Sequence, residues 1–201
     1  MRTLILSTAI LATLSFSYTA QAIEFNPLSY VKGAVEAVVE DRSAGDIAKD
    51  TEIKTKMTAA VVDGMGTDVI SVNIDVYEQV VMLTGIVEEE KLKTQATEIA
   101  RNVGGVKKLY NEMLVIPKVE QEKGMVEGLV DDTVIETKIN AQLLDAKAVN
   151  VTNFRWRSLG GHVFLFGRAL SKDELNKAIR VVTDIKGVTN VTQRVMVKPK
   201  G

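Results

Sequence analysis

The chain has 201 residues, 46% of them apolar and 25% charged, with 14 Gly and 3 Pro, a balance that excludes a disordered chain or a fibrous repeat. Cysteine is absent, which excludes disulfides and the lipid-modified N-terminal Cys of a bacterial lipoprotein, so any membrane contact is expected to be peripheral. The formal net charge is only −1, but it is unevenly spread.

Residues 1–22 read as a secretory signal. Arg2 opens it, Leu4 to Phe16 is apolar apart from Ser and Thr, and Ala20-Gln21-Ala22 is a small-x-small cleavage pattern. An apolar core this short predicts cleavage after Ala22 rather than an anchor, and no later stretch is long and apolar enough to span a bilayer. The mature chain is thus expected to be an exported, soluble protein. Residues 23–49 form an N-terminal segment in which Leu28, Val31, Val35 and Val38 are spaced for a short amphipathic helix, broken at Ser43-Ala44-Gly45.

From Asp50 onward the chain repeats itself at an offset of 82 residues without slipping. Asp50-Thr51 falls on Asp132-Thr133, Ile53 on Ile135, Thr55-Lys56 on Thr137-Lys138, Gly85 on Gly167 and Gly105-Val106 on Gly187-Val188. A duplicated domain follows, with copies over 50–116 and 132–199 and a polar linker over 117–131.

Each copy predicts the same elements. Ile53, Met57 and Val61, like Ile135, Ile139 and Leu143, recur every four residues and mark one face of a first helix, capped by Asp50 or Thr51 and by Asp132 or Thr133. An alternating strand follows: Ile70, Val72, Ile74 and Val76 in copy one, Phe154 and Trp156 against Arg155 and Arg157 in copy two. The dense apolar runs Val80 to Leu83 and Val163 to Phe166 predict an inner strand, ending at Gly85 and Gly167 as turn glycines. A second amphipathic helix stops at Gly105 and Gly187, and an alternating last strand closes the unit. The predicted fold class is α+β: two αββαβ two-layer sandwiches, each with a mixed three-stranded sheet covered by two helices. Modules this small are marginal alone, so the copies are expected to lean on each other or on a partner.

An Asp-Thr-x-Ile-x-Thr-Lys opening, an apolar strand ending in Gly (VVMLTG, HVFLFG) and a helix closing on Gly-Val together resemble the BON domain family (bacterial OsmY and nodulation), in both copies. The resemblance implies a periplasmic or envelope location and a role in osmotic or envelope stress, usually explained by phospholipid binding. It implies no catalytic residues. The missing Cys sets this chain apart from the lipoproteins among two-copy relatives.

Residues 133–201 hold twelve basic and five acidic side chains, a net of +7, while every earlier segment of the mature chain is acidic. Candidate contacts for anionic phospholipid headgroups are Lys138 and Lys147 near the first helix of copy two, Arg155, Arg157 and Arg168 on its strands, and Lys172, Lys177 and Arg180 on its second helix. Val134 is a candidate for apolar insertion. Two other readings stand beside this one: pairing of the basic half with the acidic half, and plain solvation.

No catalytic site, metal site or cofactor is expected. The single His162 has no Cys and no second His to share a metal, no G-x-S-x-G elbow accompanies it, and no phosphate-binding loop appears. Nucleic acid is not expected as a partner, since an exported protein rarely meets it and Phe154 and Trp156 are the only stacking aromatics of copy two. The alternative function is a chaperone-like or adaptor role toward other envelope proteins, using exposed apolar surface or sheet edges.

Overall fold

The computed structural model describes residues 41–66 and 71–199, with the side chains of 71 and 118–131 left out of the description. The signal segment and the short helix expected over Leu28 to Val38 lie outside the described residues.

Helix α1 (Ala44–Met65) begins earlier than Asp50, because Ser43, read from sequence as a breaker, is its N-cap: Asp46 N donates to Ser43 Oγ at 3.0 Å. Ile53, Met57, Val61 and Met65 form its buried stripe. Strands β1 (Ser71–Tyr77) and β2 (Val80–Val87) make an antiparallel hairpin through a two-residue turn at Glu78 and Gln79. Helix α2 (Glu90–Arg101) then carries the chain to a third strand parallel to β2, interrupted into β3 (Lys108–Asn111) and β4 (Leu114–Val115). At the interruption Asn111 turns inward, accepting from Met113 N and donating to Lys93 O and Thr97 Oγ1.

Domain 2 repeats the plan. Helix α3 (Lys118–Asp145) is followed by β5 (Phe154–Leu159), β6 (His162–Ala169), α4 (Lys172–Thr183) and β7 (Asn190–Val197), with β6 central, antiparallel to β5 and parallel to β7. The αββαβ expectation therefore holds in both copies. The stretch 118–131, expected as a linker, is helical and continuous with the first helix of domain 2. Pro117 suits its start, and Glu, Gln and Lys are good helix formers that outweigh the cost of about 1 kcal/mol for each of Gly124 and Gly128.

Alternation along the strands divides each sheet into two apolar faces. Ile74, Val76, Val81, Leu83 and Val87 pack on α1 and α2. Val163, Leu165, Ala169 and Val195 do the same under α3 and α4. The opposite faces meet each other: Tyr77, Val80 and Met82 of domain 1 share one buried cluster with Leu159, Phe164 and Phe166 of domain 2. The molecule is a stack of four layers, helices outside and two sheets within.

Gly85 and Gly167 are not turn residues. Both lie inside strands at positive φ, and a Cβ on Gly167 would stand 2.1 Å from Asn153 O, so the backbone of the preceding loop closes on the strand there. Gly105 and Gly187 do follow the second helices at positive φ. They also let the first helix close in, since a Cβ on Gly187 would lie 3.2 Å from Ile135 Cδ1.

Candidate functional site: a charged domain contact and an outer helix layer

The Asp of each Asp-Thr opening sits inside the first helix and clamps the hairpin turn beneath it. Asp50 accepts from Glu78 N at 2.8 Å, Gln79 N at 2.7 Å, Gln79 Nε2 at 2.9 Å and Arg42 Nη1 at 2.7 Å. Asp132 accepts from Gly160 N at 2.6 Å, Gly161 N at 2.9 Å and Ser158 Oγ at 2.6 Å. Both residues of each turn have positive φ, the arrangement a tight hairpin needs. These carboxylates are thus turn clamps and not helix caps. The repeat alone carried the signal: an identical Asp is kept in both copies while the turn changes from Glu-Gln to Gly-Gly.

The nine positions grouped as headgroup contacts separate into two places. Arg155, Arg157 and Arg168 turn toward domain 1, which corrects their assignment to an outward surface. With Phe154 and Trp156 packed on the helices, pleating sends Arg155 and Arg157 to the other side of β5, and domain 1 covers that side. Arg157 forks onto Asp75, Nε to Oδ2 at 3.1 Å and Nη2 to Oδ1 at 2.9 Å. Arg168, whose side chain is 4% exposed, donates to Glu78 Oε1 at 2.6 Å. Arg155 lies 5.6 Å from the Tyr77 ring centroid, on which Arg42 also stacks at 4.4 Å.

Two cations that sequence reasoning did not single out complete this contact. Arg194 Nε meets Glu112 Oε1 at 2.6 Å, and Lys198 Nζ meets Glu78 Oε2 at 3.0 Å. At its edge Tyr77 OH donates to Asn153 Oδ1, and Asp41 ties the entry to α1 onto domain 2, accepting from Asn150 Nδ2 at 2.7 Å and Asn153 Nδ2 at 3.0 Å.

The other six positions lie on the helices of domain 2 or at their ends. Val134 is 45% exposed on α3, and Leu144, which sequence reasoning passed over, is 69% exposed on the same helix. Lys138 is half-buried and Lys147 exposed, while Lys172 and Arg180 are exposed on α4. Lys177 Nζ donates to Lys147 O at 2.5 Å, which joins the end of α3 to α4.

Proton affinities follow the contact. Burial works to raise the pKa of Glu78, but hydrogen bonds and charge from Lys198 and Arg168 outweigh it and hold the carboxyl below its ordinary value. Asp75 holds Arg157 firmly protonated. Burial raises Glu136, whose carboxylate accepts from Ser158 N. Burial also lowers His162, which stacks on Phe164 at 4.3 Å between ring centroids and bonds Thr192 through Nε2. Among the described residues no group of three or more His, Asp or Glu is placed to hold a metal ion, and no helix is long and apolar enough to cross a membrane.

Comparison with known proteins fits this architecture. A family model for the BON domain matches residues 49–117 and again 131–199. The outer membrane lipoprotein DolP of Haemophilus influenzae is 30% identical over 162 residues, covering 79% of this chain and 81% of DolP. Osmotically-inducible protein Y of Escherichia coli is 26% identical over 147 residues, 73% of this chain and 72% of that protein. An uncharacterised protein of Anaplasma centrale is 29% identical over 128 residues, 64% and 82% of the two chains.

Proposed function

Because the chain belongs to the BON domain family, with two copies of the domain, we propose that it is a non-enzymatic periplasmic protein of envelope and osmotic stress that binds anionic phospholipid peripherally. The names of its relatives support the setting: one is an outer membrane lipoprotein and another is osmotically inducible. Export by a cleaved signal, ending at Ala22, is part of the same reading.

The observation that carries the lipid reading is the outer surface of α3, where Val134 and Leu144 stand exposed on the helix that also bears Lys138 and leads to Lys147. Exposed large aliphatics beside cations suit the boundary between headgroups and acyl chains. Each Lys or Arg near an anionic surface contributes about 1 kcal/mol, so Lys138, Lys147, Lys172, Lys177 and Arg180 together support reversible, salt-sensitive attachment. Arg157 and Arg168 are bonded to acids of domain 1, and Arg155 donates to Thr152 O and Phe154 O beside the same contact, so this reading gives them no part. A chaperone-like role would draw on the same exposed aliphatics, but it gives no part to the cations beside them, which favours the lipid reading.

Co-sedimentation with vesicles of phosphatidylglycerol and phosphatidylcholine tests it. At low salt the mature protein should pellet with mixed vesicles and stay free of pure phosphatidylcholine. Val134→Glu with Leu144→Glu should abolish pelleting while leaving thermal melting unchanged, since both side chains are exposed. Equal binding to neutral vesicles, or full retention in the double variant, would refute the assignment.

A further inference from the structure

We infer that the sheet face of each domain is a recognition surface for the other domain, coded by charge so that neither face accepts a copy of itself. This stands apart from the lipid reading, because it concerns the inner layers and not the outer helices.

The repeat offset makes Asp75 the counterpart of Arg157, Met82 of Phe164 and Glu112 of Arg194. Two of these counterpart pairs bond directly to each other across the contact, Arg157 to Asp75 and Arg194 to Glu112. Met82 and Phe164 lie in the shared apolar cluster. Strand register places Asp75 beside Met82 and Arg157 beside Phe164 on neighbouring strands, with Arg194 on the far strand β7 and Glu112 in the break between β3 and β4. A residue that meets its own counterpart marks the axis of a two-fold, self-complementary contact. The pairs Asp75/Arg157 and Glu112/Arg194 mark that axis.

Along such an axis, like domains would meet like with like. Two domain 1 faces would bring Asp75 onto Asp75 and Glu112 onto Glu112. Two domain 2 faces would bring Arg157 onto Arg157 and Arg194 onto Arg194. Juxtaposed like charges repel at these part-buried positions, whereas the mixed pairing joins opposite charges at both. Away from the axis the asymmetry deepens: Glu78 binds Arg168 and Lys198, while the counterparts of these three are Gly160, Ile86 and Ile116. The face of domain 1 therefore fits only a domain 2 face, of its own chain or of a second copy.

Cutting the folded full chain within 118–131, at an inserted protease site, tests this without requiring either domain to fold alone. The cut halves should elute together as a one-to-one complex in size-exclusion chromatography with light scattering, with no like-with-like pairs. Asp75→Arg with Glu112→Arg should weaken the complex on the order of 100-fold. Adding Arg157→Asp and Arg194→Glu should restore it. Like-with-like pairs from the parent, or no loss on reversing one face, would overturn the inference. If the reversed chain does not fold, the uncut protein decides: Asp75→Arg with Arg157→Asp must melt above each single variant, and a swap that melts no higher would equally overturn it.

Discussion

Arg168 is the side chain with the least freedom to change its partner. It is buried between the sheets, its Nε and Nη2 have no hydrogen-bond partner in the protein, and Glu78 is the acid that answers its charge. Removing one partner of a buried pair is far costlier than the pair is worth, because the remaining charge stays desolvated. Glu78→Gln should lower unfolding free energy by about 3–5 kcal/mol in urea titration, whereas Lys198→Gln, on the exposed arm, should change it by under about 1 kcal/mol. The same carboxyl gives a pH dependence. Its folded pKa lies below the unfolded one, so its contribution is present above the ordinary carboxylate range near 4.5 and is lost as pH falls through the folded value. His162 has the same sign: burial lowers its pKa from 6.5, so stability present above that value declines as pH falls and the ring is forced to charge. Glu136 opposes both, since its raised pKa favours the protonated form in the folded state. Melting temperature measured between pH 7 and pH 5 should fall less in His162→Gln than in the parent.

At the level of elements, the clamp between first helix and hairpin explains why Asp recurs 82 residues apart in different surroundings. Glu78 and Gln79 occupy positive φ without being glycine, and Asp50 holds both of their N–H groups in place. In domain 2 the turn is Gly-Gly, so Asp132 is needed for bonding and not to enforce the backbone. Asp132→Ala leaves two backbone donors and the Ser158 hydroxyl without their acceptor, and unpaired buried donors cost about 1–3 kcal/mol each. A loss of about 2–4 kcal/mol by denaturant unfolding is expected, smaller than the sum because water reaches the exposed Gly160. These elements were largely legible beforehand. The stripe Ile53, Met57, Val61, the alternation in β1 and β5, and the glycines past α2 and α4 are local patterns that backbone geometry enforces whatever surrounds them. The bounds were less legible, since Ser43 caps a helix that a reader of Asp50 starts too late, and 118–131 is helical despite its two glycines.

Across the whole molecule, charge is divided between two tasks. Arg157, Arg168, Arg194 and Lys198 join the domains, and the cations on α3 and α4 are the ones proposed above to meet anionic headgroups. The two sets should respond differently to salt, because exposed charges are screened within about 8 Å at physiological ionic strength, whereas the buried Arg168–Glu78 pair is screened much less and the exposed Lys198 contributes little to stability. Raising salt to about 0.5 M should release the protein from anionic vesicles in co-sedimentation while its melting temperature stays nearly constant. Joint loss of vesicle binding and stability would mean that one set of charges serves both.

The chain on its own determined that there are two like domains, what each is built from, and that domain 2 carries the surplus of cations. Duplication, helical spacing and strand alternation are all short-range or strictly periodic in sequence. It even determined that Arg155 and Arg157 lie opposite Phe154 and Trp156. Only the tertiary structure decided whether that opposite face is open or covered, because each covering acid is distant in sequence from the cation it meets: Asp75 is 82 residues from Arg157, Glu78 is 90 from Arg168 and Glu112 is 82 from Arg194. A pleat fixes the side to which a residue points, but what waits on that side depends on how two separately folded sheets meet.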